Sequence, residues 1–357
     1  MSALRLSING VNYLNIALML LSLVLAVTFP FELFLFAYAV LGPLHYMTEI
    51  GWLHQRNYFA IDKRDFIIPV AMCALISLSV LFNLAAGWPA TAETMASLNA
   101  GFFGRITAGL NEYATGFIFI AFTSAVFMVV VKKRSLRYLL IAAMLIPAFL
   151  LVKVDSYETW FAVFLPTIIH VCVFTALFIL FGAMKGKSFS GYLSFVVYLL
   201  CILLIFQISF DPRKYIITDY VLGAFQKSGF STLNESLWDI LHPTQEAKRG
   251  FFLNTRFALK IQGFIAFSYT YHYLNWFSKT EVIKWHLVPK MWLALTAVVW
   301  IASVALYYYD YRVGLLALFF LSMLHVFLEF PLNVQSFIGI GRESMGWFRP
   351  KTGTPAK

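Results

Sequence analysis

Leu44-His45-Tyr46-Met47-Thr48-Glu49 places an imidazole and a carboxylate four residues apart, near the end of a long apolar segment. Side chains at i and i+4 share one helix face, so His45 and Glu49 point the same way. Ionisable groups inside a membrane span are costly, face the protein interior and mark functional sites. The pattern recurs far along the chain, where His325 and Glu329 lie within the segment Met323 to Phe330. Two His-x-x-x-Glu pairs in apolar surroundings therefore set the reading of the whole sequence.

The surroundings are apolar throughout: 61% of the residues are hydrophobic, 12% are charged, and the mean hydropathy is +0.77. Soluble domains carry about 25% charged residues, so a soluble domain is excluded. The net charge of +10 would suit nucleic acid. Yet the basic residues fall mostly in short loops between apolar segments, as the positive-inside rule expects. Nucleic acid is thus excluded as a partner, and membrane lipid is the expected environment. Cys73, Cys172 and Cys201 all lie in apolar segments without CxxC spacing, so they read as small buried hydrophobes.

Crossing a bilayer takes about 20 apolar residues. The candidates run 11–29, 31–52, 66–87, 113–131, 136–152, 159–184, 190–209, 251–277, 289–309 and 312–334, with only Pro30 between the first two. Loop charges alternate along this series, which puts both termini on the cytoplasmic side. The expected fold is all-α: a polytopic helical bundle of ten spans, forming one domain over 1–341. The tail 342–357 is expected to be disordered, and the setting is a cell membrane of the bacterial inner-membrane kind. The outer connections 88–112 and 211–250 carry apolar residues at helical spacing, such as Tyr220, Ala224 and Phe225, then Leu233, Leu237 and Leu241. They are expected to form connecting helices.

Four histidines lie within spans: His45, His170, His272 and His325. All four spans run from outside to inside in this topology. Counting 1.5 Å per residue, His170 falls near mid-membrane and the other three in the inner half. Glu49 and Glu329 lie one turn deeper. Four imidazoles and two carboxylates can therefore meet in one layer as metal ligands, or with each carboxylate holding an imidazole in place. His54 and His286, in adjoining inner loops, are possible additions, whereas His242 in the outer loop has no link to this layer. Pro43, Pro166 and Pro331 sit beside the same residues and are expected to kink their helices, freeing backbone carbonyls.

The stretch Tyr271-His272-Tyr273-Leu274-Asn275-Trp276-Phe277-Ser278-Lys279 places His272, Asn275 and Lys279 on one face. Tyr271 and Asn275 are the candidate catalytic groups, Asn275 through orienting a bound water. Lys279, and Arg56 beyond the second span, are candidates for holding a substrate carboxylate or acidic headgroup. Ser278 and Glu281 fit a capping box for a short helix over 279–286.

Single histidines scattered over several spans, here His45, His170, His272 and His325, resemble the Brp/Blh type of membrane β-carotene dioxygenase. The resemblance implies iron held by histidines from different helices and cleavage of a polyene with O2. The HxxxH and HxxHH boxes of membrane desaturases and the DxxxD motifs of prenyl transfer are missing. The expectation is an integral-membrane metal-dependent oxidoreductase acting on a lipophilic substrate. Non-haem iron is the expected cofactor, one or two ions, since imidazole with carboxylate favours it; copper or haem is the alternative. A transporter passing protons or cations along the same side chains, and a haem-binding electron-transfer protein, are the competing classes.

Overall fold

A computed structural model describes residues 7–87, 92–99, 101–241, 255–279 and 288–348. The described residues form helices and connections, with no strand among them. Helix α1 (Ile8–Thr28) is opened by Ser7, whose hydroxyl accepts the Gly10 amide. Only Phe29 separates it from α2 (Pro30–Gln55), which starts on a proline where the missing N–H costs nothing. There follow α3 (Ile67–Gly87), α4 (Ala92–Asn99), α5 (Phe102–Glu112), α6 (Ala114–Val130), α7 (Arg134–Leu151) and α8 (Glu158–Gly186). Next are α9 (Phe189–Gln207), α10 (Asp219–Ser228), α11 (Ser231–Leu241), α12 (Arg256–Ser278), α13 (Lys290–Tyr309) and α14 (Tyr311–Phe348).

Eight of these helices are long and apolar enough to cross a membrane, and a ninth span results if α5 and α6, bent by 53°, count as one. The expected eighth span corresponds to α12; residues 251–254 lie outside the described residues. At 23 residues α12 is long enough, but its Gln, Tyr, His and Asn side chains make it too polar to qualify by composition. Its position supplies the reason. Helices α1, α2, α8, α9 and α11 pack around α12, and its residues from Ala258 to Tyr273 are almost all buried. A helix enclosed by protein finds its polar partners there and needs no lipid-compatible face.

Two prolines act as expected and one does not. In α2, residues Ala37–Leu41 run as π-helix just ahead of Pro43, and in α8 the π-helical stretch Glu158–Phe174 contains Pro166. Such widened turns are rare and concentrate at functional sites. Helix α14 instead passes Pro331 without interruption and continues to Phe348, so residues 342–348 are helical where disorder was expected. Residues 349–357 lie outside the described residues.

The helices of the two long connections dock on the bundle. Val221, Ala224 and Phe225 of α10 are buried while Tyr220 is exposed. The Phe225 ring packs 5.3 Å from Phe31 and 5.7 Å from Phe34. Asn234 of α11 donates to Gln262 of α12 at 3.1 Å, and Gln262 donates on to the Pro30 carbonyl at 3.0 Å. At the other end, Asn57, Tyr58 and Phe59 follow α2 with φ of 52°, 55° and 54°. Three successive left-handed residues without glycine are costly. They are held by Gln335, which donates to the Phe59 carbonyl at 2.6 Å, and by the Ile61 amide, which donates to the Met128 carbonyl at 3.0 Å. The three cysteines are free and buried, as expected.

Candidate metal centre

The helices α2, α12, α8 and α14 are neighbours in that cyclic order, α14 closing on α2. Their histidines follow the same order. Ring centroids are 4.7 Å apart for His45 and His272, 4.9 Å for His272 and His170, 5.2 Å for His170 and His325, and 5.3 Å for His325 and His45. Adjacent rings stand edge to face, at 64° to 88°. All four side chains are buried. The layer expected from residue counting is thus a closed ring of imidazoles.

The carboxylates divide between two partners. Glu49 Oε2 lies 3.1 Å from Nε2 of His45, one turn away on the same helix. Glu329 does not pair with His325 on its own helix: its Oε2 lies 3.3 Å from Nδ1 of His170 on α8. The second His-x-x-x-Glu pair is therefore corrected from an intrahelical couple to a contact between helices. The i+4 spacing puts both groups on one face, and the α8 neighbour then lies nearer than the turn above.

Several atoms in this layer lack hydrogen-bond partners. Setting aside the atoms already paired across an imidazole–carboxylate contact, they are Nδ1 of His45, Nε2 of His170 and Nδ1 of His325. Leaving a buried polar group unpaired costs about 1–3 kcal/mol each, a cost that a bound group would offset. His45 and His272 face each other through Nε2 at 3.2 Å. Nitrogens about 2.1 Å from one ion stand about 3.4 Å apart in tetrahedral geometry, so the pair meets a metal's requirement. Nitrogens of His45, His272 and His325 all lie within 4.8 Å of one another. His170 adjoins that trio without joining it. Nδ1 of His272 contacts the Thr175 hydroxyl at 2.9 Å, which fixes the ring and leaves Nε2 for the centre.

A cavity of about 430 Å³ leads to this ring. His45, Glu49, His272, Glu329 and Lys279 line its deep end, and exposed Ile8 and Gly182 mark its mouth. Lys279 acts electrostatically on both carboxylates, and its ammonium lies 5.8 Å from the Phe178 ring centre. Its lining is mixed: Phe178, Ile179, Phe181 and Leu332 are apolar, and Asn12, Asn15 and Ser194 are polar. Asn12 donates to Ser190 at 2.9 Å and Ser188 at 3.2 Å.

Of the other expected site residues, Asn275 is buried in the cavity wall. Tyr271 lines it too, but its hydroxyl donates to Asn15 at 3.2 Å, and Asn15 also accepts from Ser278 at 3.0 Å. Arg56 does not line the cavity: it is exposed, with its guanidinium 5.5 Å from the Trp52 ring centre. His54 is exposed and contacts the Tyr58 hydroxyl at 2.8 Å, away from the ring. His286, His242 and, beyond Lys279, the capping-box helix expected over 279–286 lie outside the described residues. Sequence reasoning missed Thr175 and the polar wall. A signal for the wall existed, since Asn9, Asn12 and Asn15 recur every three residues along one face of the first span. Compared with protein-family models, curated proteins and solved structures, the chain matches none of them.

Proposed function

We propose that this chain is an integral-membrane oxidoreductase that uses a metal ion held by His45, His272 and His325 to act on a lipophilic substrate. The observation that carries the reading is the gathering of buried His45, His272 and His325 nitrogens within 4.8 Å of one another, with His45 and His272 lining a cavity. Non-haem iron fits the donor set, since imidazoles accompanied by carboxylates suit iron and leave positions for substrate and oxygen. A haem is disfavoured, because rings 4.7 to 5.3 Å apart leave no slot for a macrocycle between them. The ion would supply the redox chemistry. Glu49 and Glu329 would offset its charge, Thr175 would orient His272, and Asn275 would hold a water or substrate oxygen at the cavity wall. This reading keeps the metal-binding part of the resemblance to the β-carotene dioxygenases and leaves the polyene substrate behind.

The same proposal puts ten spans in a membrane with the cavity mouth facing the cytoplasm, supported by the basic loops at that end. A reporter fused at Gly186 should read cytoplasmic; an external signal would reverse the orientation.

Metal counting with an optical spectrum tests the centre. The purified protein should hold about one iron per chain without a haem absorption band. His45→Ala and His325→Ala should lose the iron, and His54→Ala should keep it. A wild type that takes up no metal, or equal loss in His54→Ala, would overturn the reading.

A further inference from the structure

Away from the histidine ring, two connections distant in sequence meet in one basic cleft. One joins α2 to α3 and the other joins α6 to α7. The Ile61 amide donates to the Met128 carbonyl at 3.0 Å and ties the first connection to the end of α6. The Asp65 carboxylate pairs with Arg137 at 2.6 Å and accepts from the Tyr138 hydroxyl at 2.9 Å, which ties the start of α3 to α7. Between these ties lies a cleft of about 410 Å³. Lys63, Arg64, Lys132, Arg134 and Arg137 line it, and Asp62 is the one acid among its lining residues.

The charges do not balance. Asp65 already offsets Arg137, which is buried. Asp62 faces two guanidiniums, Arg64 at 3.7 Å and Arg134 at 3.9 Å, and offsets one of them. Its carboxyl is held below the ordinary range first by the Arg64 amide, which donates to it at 3.0 Å, and further by the charges of Arg64, Arg134 and Arg137. Lys63 and Lys132 form no ion pair among the described residues. Three positive charges therefore share one cleft without a countercharge. The positive-inside rule accounts for basic residues in each short loop. It does not require two loops to gather theirs in one place.

The surroundings point to a lipid. The three helices that meet here expose apolar side chains in the adjoining turns: Ile67 of α3, Val130 of α6, and Leu136 and Leu139 of α7. Few residues of α7 are buried at all. A small soluble anion has no use for that surface, whereas a phospholipid lays its chains along it. Its phosphodiester then sits level with the helix ends, where guanidinium and ammonium groups bind phosphate oxygens. Basic pockets between spans on the cytoplasmic side take anionic headgroups in this way.

We propose that this cleft seats the phosphodiester of an anionic phospholipid of the cytoplasmic leaflet, held by Lys63, Arg64, Lys132 and Arg134, with its chains against α7. The proposal rests on the membrane placement given above and is independent of the metal.

The test uses the full chain in detergent micelles, phosphatidylglycerol and phosphatidylcholine of matched chains at equal concentration, and native mass spectrometry to count bound lipids. One phosphatidylglycerol per chain should be retained with about tenfold preference, and the preference should fall as salt rises. Lys63→Gln with Lys132→Gln should remove most of it, and Lys63→Arg with Lys132→Arg, which keeps both charges, should retain it. Lys185→Gln with Lys187→Gln, an equal loss of charge in another inner connection, should also retain it. No preference in the wild type, or an equal loss in both glutamine double variants, would overturn the proposal. Displacement by glycerophosphoglycerol, the headgroup without chains, at equal concentration would overturn the lipid part and leave a site for small phosphate esters. The reporter at Gly186 separates the two failures. An external signal means that the membrane placement has failed, whereas a cytoplasmic signal without lipid preference means that only the headgroup proposal has failed.

Discussion

Two clusters of ionisable side chains are buried in this bundle, and they are built on opposite plans. Asp65 and Arg137 form an ion pair at 2.6 Å with both side chains inaccessible. Tyr138 donates to the other Asp65 oxygen at 2.9 Å, and Arg137 donates to the carbonyls of Val131 at 2.8 Å and Lys132 at 3.3 Å. This cluster is complete: charge meets charge, and the remaining donors meet backbone oxygens. The ring of His45, His170, His272 and His325 is equally buried and has its carboxylates paired with imidazoles, but it leaves Nδ1 of His45, Nε2 of His170 and Nδ1 of His325 with no partner. Burial and charge are common to both. Completeness separates a tie between helices from a cluster with room to bind.

The largest effect expected from breaking this contrast lies in the closed cluster. Arg137→Met leaves the Asp65 carboxylate buried without its countercharge, only the Tyr138 hydroxyl still donating to it, which should cost about 3–5 kcal/mol. Thermal unfolding of the purified protein should register the loss, while metal per folded chain stays at the wild-type level. Adding Asp65→Leu should recover most of the stability, since an apolar pair often replaces a buried ion pair without cost. Metal lost in proportion to stability would mean that the two clusters are one unit.

The two clusters were not equally legible. The histidine layer follows from depth counting, because a helix rises evenly and four singly placed imidazoles reach one level. The pairing of Glu329 with His170 does not follow. It depends on how α14 is rotated against α8, which packing decides and a single sequence does not record. Arg137 reads as one more inner-loop charge beside Lys132, Lys133 and Arg134, and nothing local distinguishes it. Its burial comes from Asp65 on a segment more than seventy residues away. The polarity of α12 misleads in a similar way: hydropathy measures compatibility with lipid, and α12 is surrounded by other helices.

A middle effect sharpens the contrast inside the ring. Glu49 touches His45, a member of the trio whose nitrogens gather within 4.8 Å, while Glu329 touches His170, outside it. Groups that orient a ligating imidazole typically contribute 10–100-fold in metal affinity. Glu49→Gln should weaken metal binding by about that factor, and Glu329→Gln by less than about tenfold. A competition titration against a chelator reads both. Equal losses would bring His170 and Glu329 into the same coordination unit as the trio, and two ions in the wild type would place a second metal there.

The smallest effect concerns an atom that is incomplete in another way. The Tyr46 hydroxyl is buried without a partner, and its ring lies 5.7 Å from that of His325 at 32°. Unlike His45, Glu49, His272 and Glu329, it does not line the cavity, and it belongs to the buried aromatic core that fills the bundle around Phe34 and Tyr198. If incompleteness marks a ligand site only where a cavity reaches it, this phenol is a local cost and nothing more. Tyr46→Phe keeps the ring and removes the unpaired group, so the metal-free protein should be unchanged or gain about 1 kcal/mol. Metal affinity should stay within about twofold, since no ligand or its partner is altered. Unfolding of the metal-free and metal-loaded forms, measured side by side, decides it. Destabilisation confined to the loaded form would mean that the bound ion brings a partner for this hydroxyl, and the ring's open side would then extend past His325 into the aromatic core.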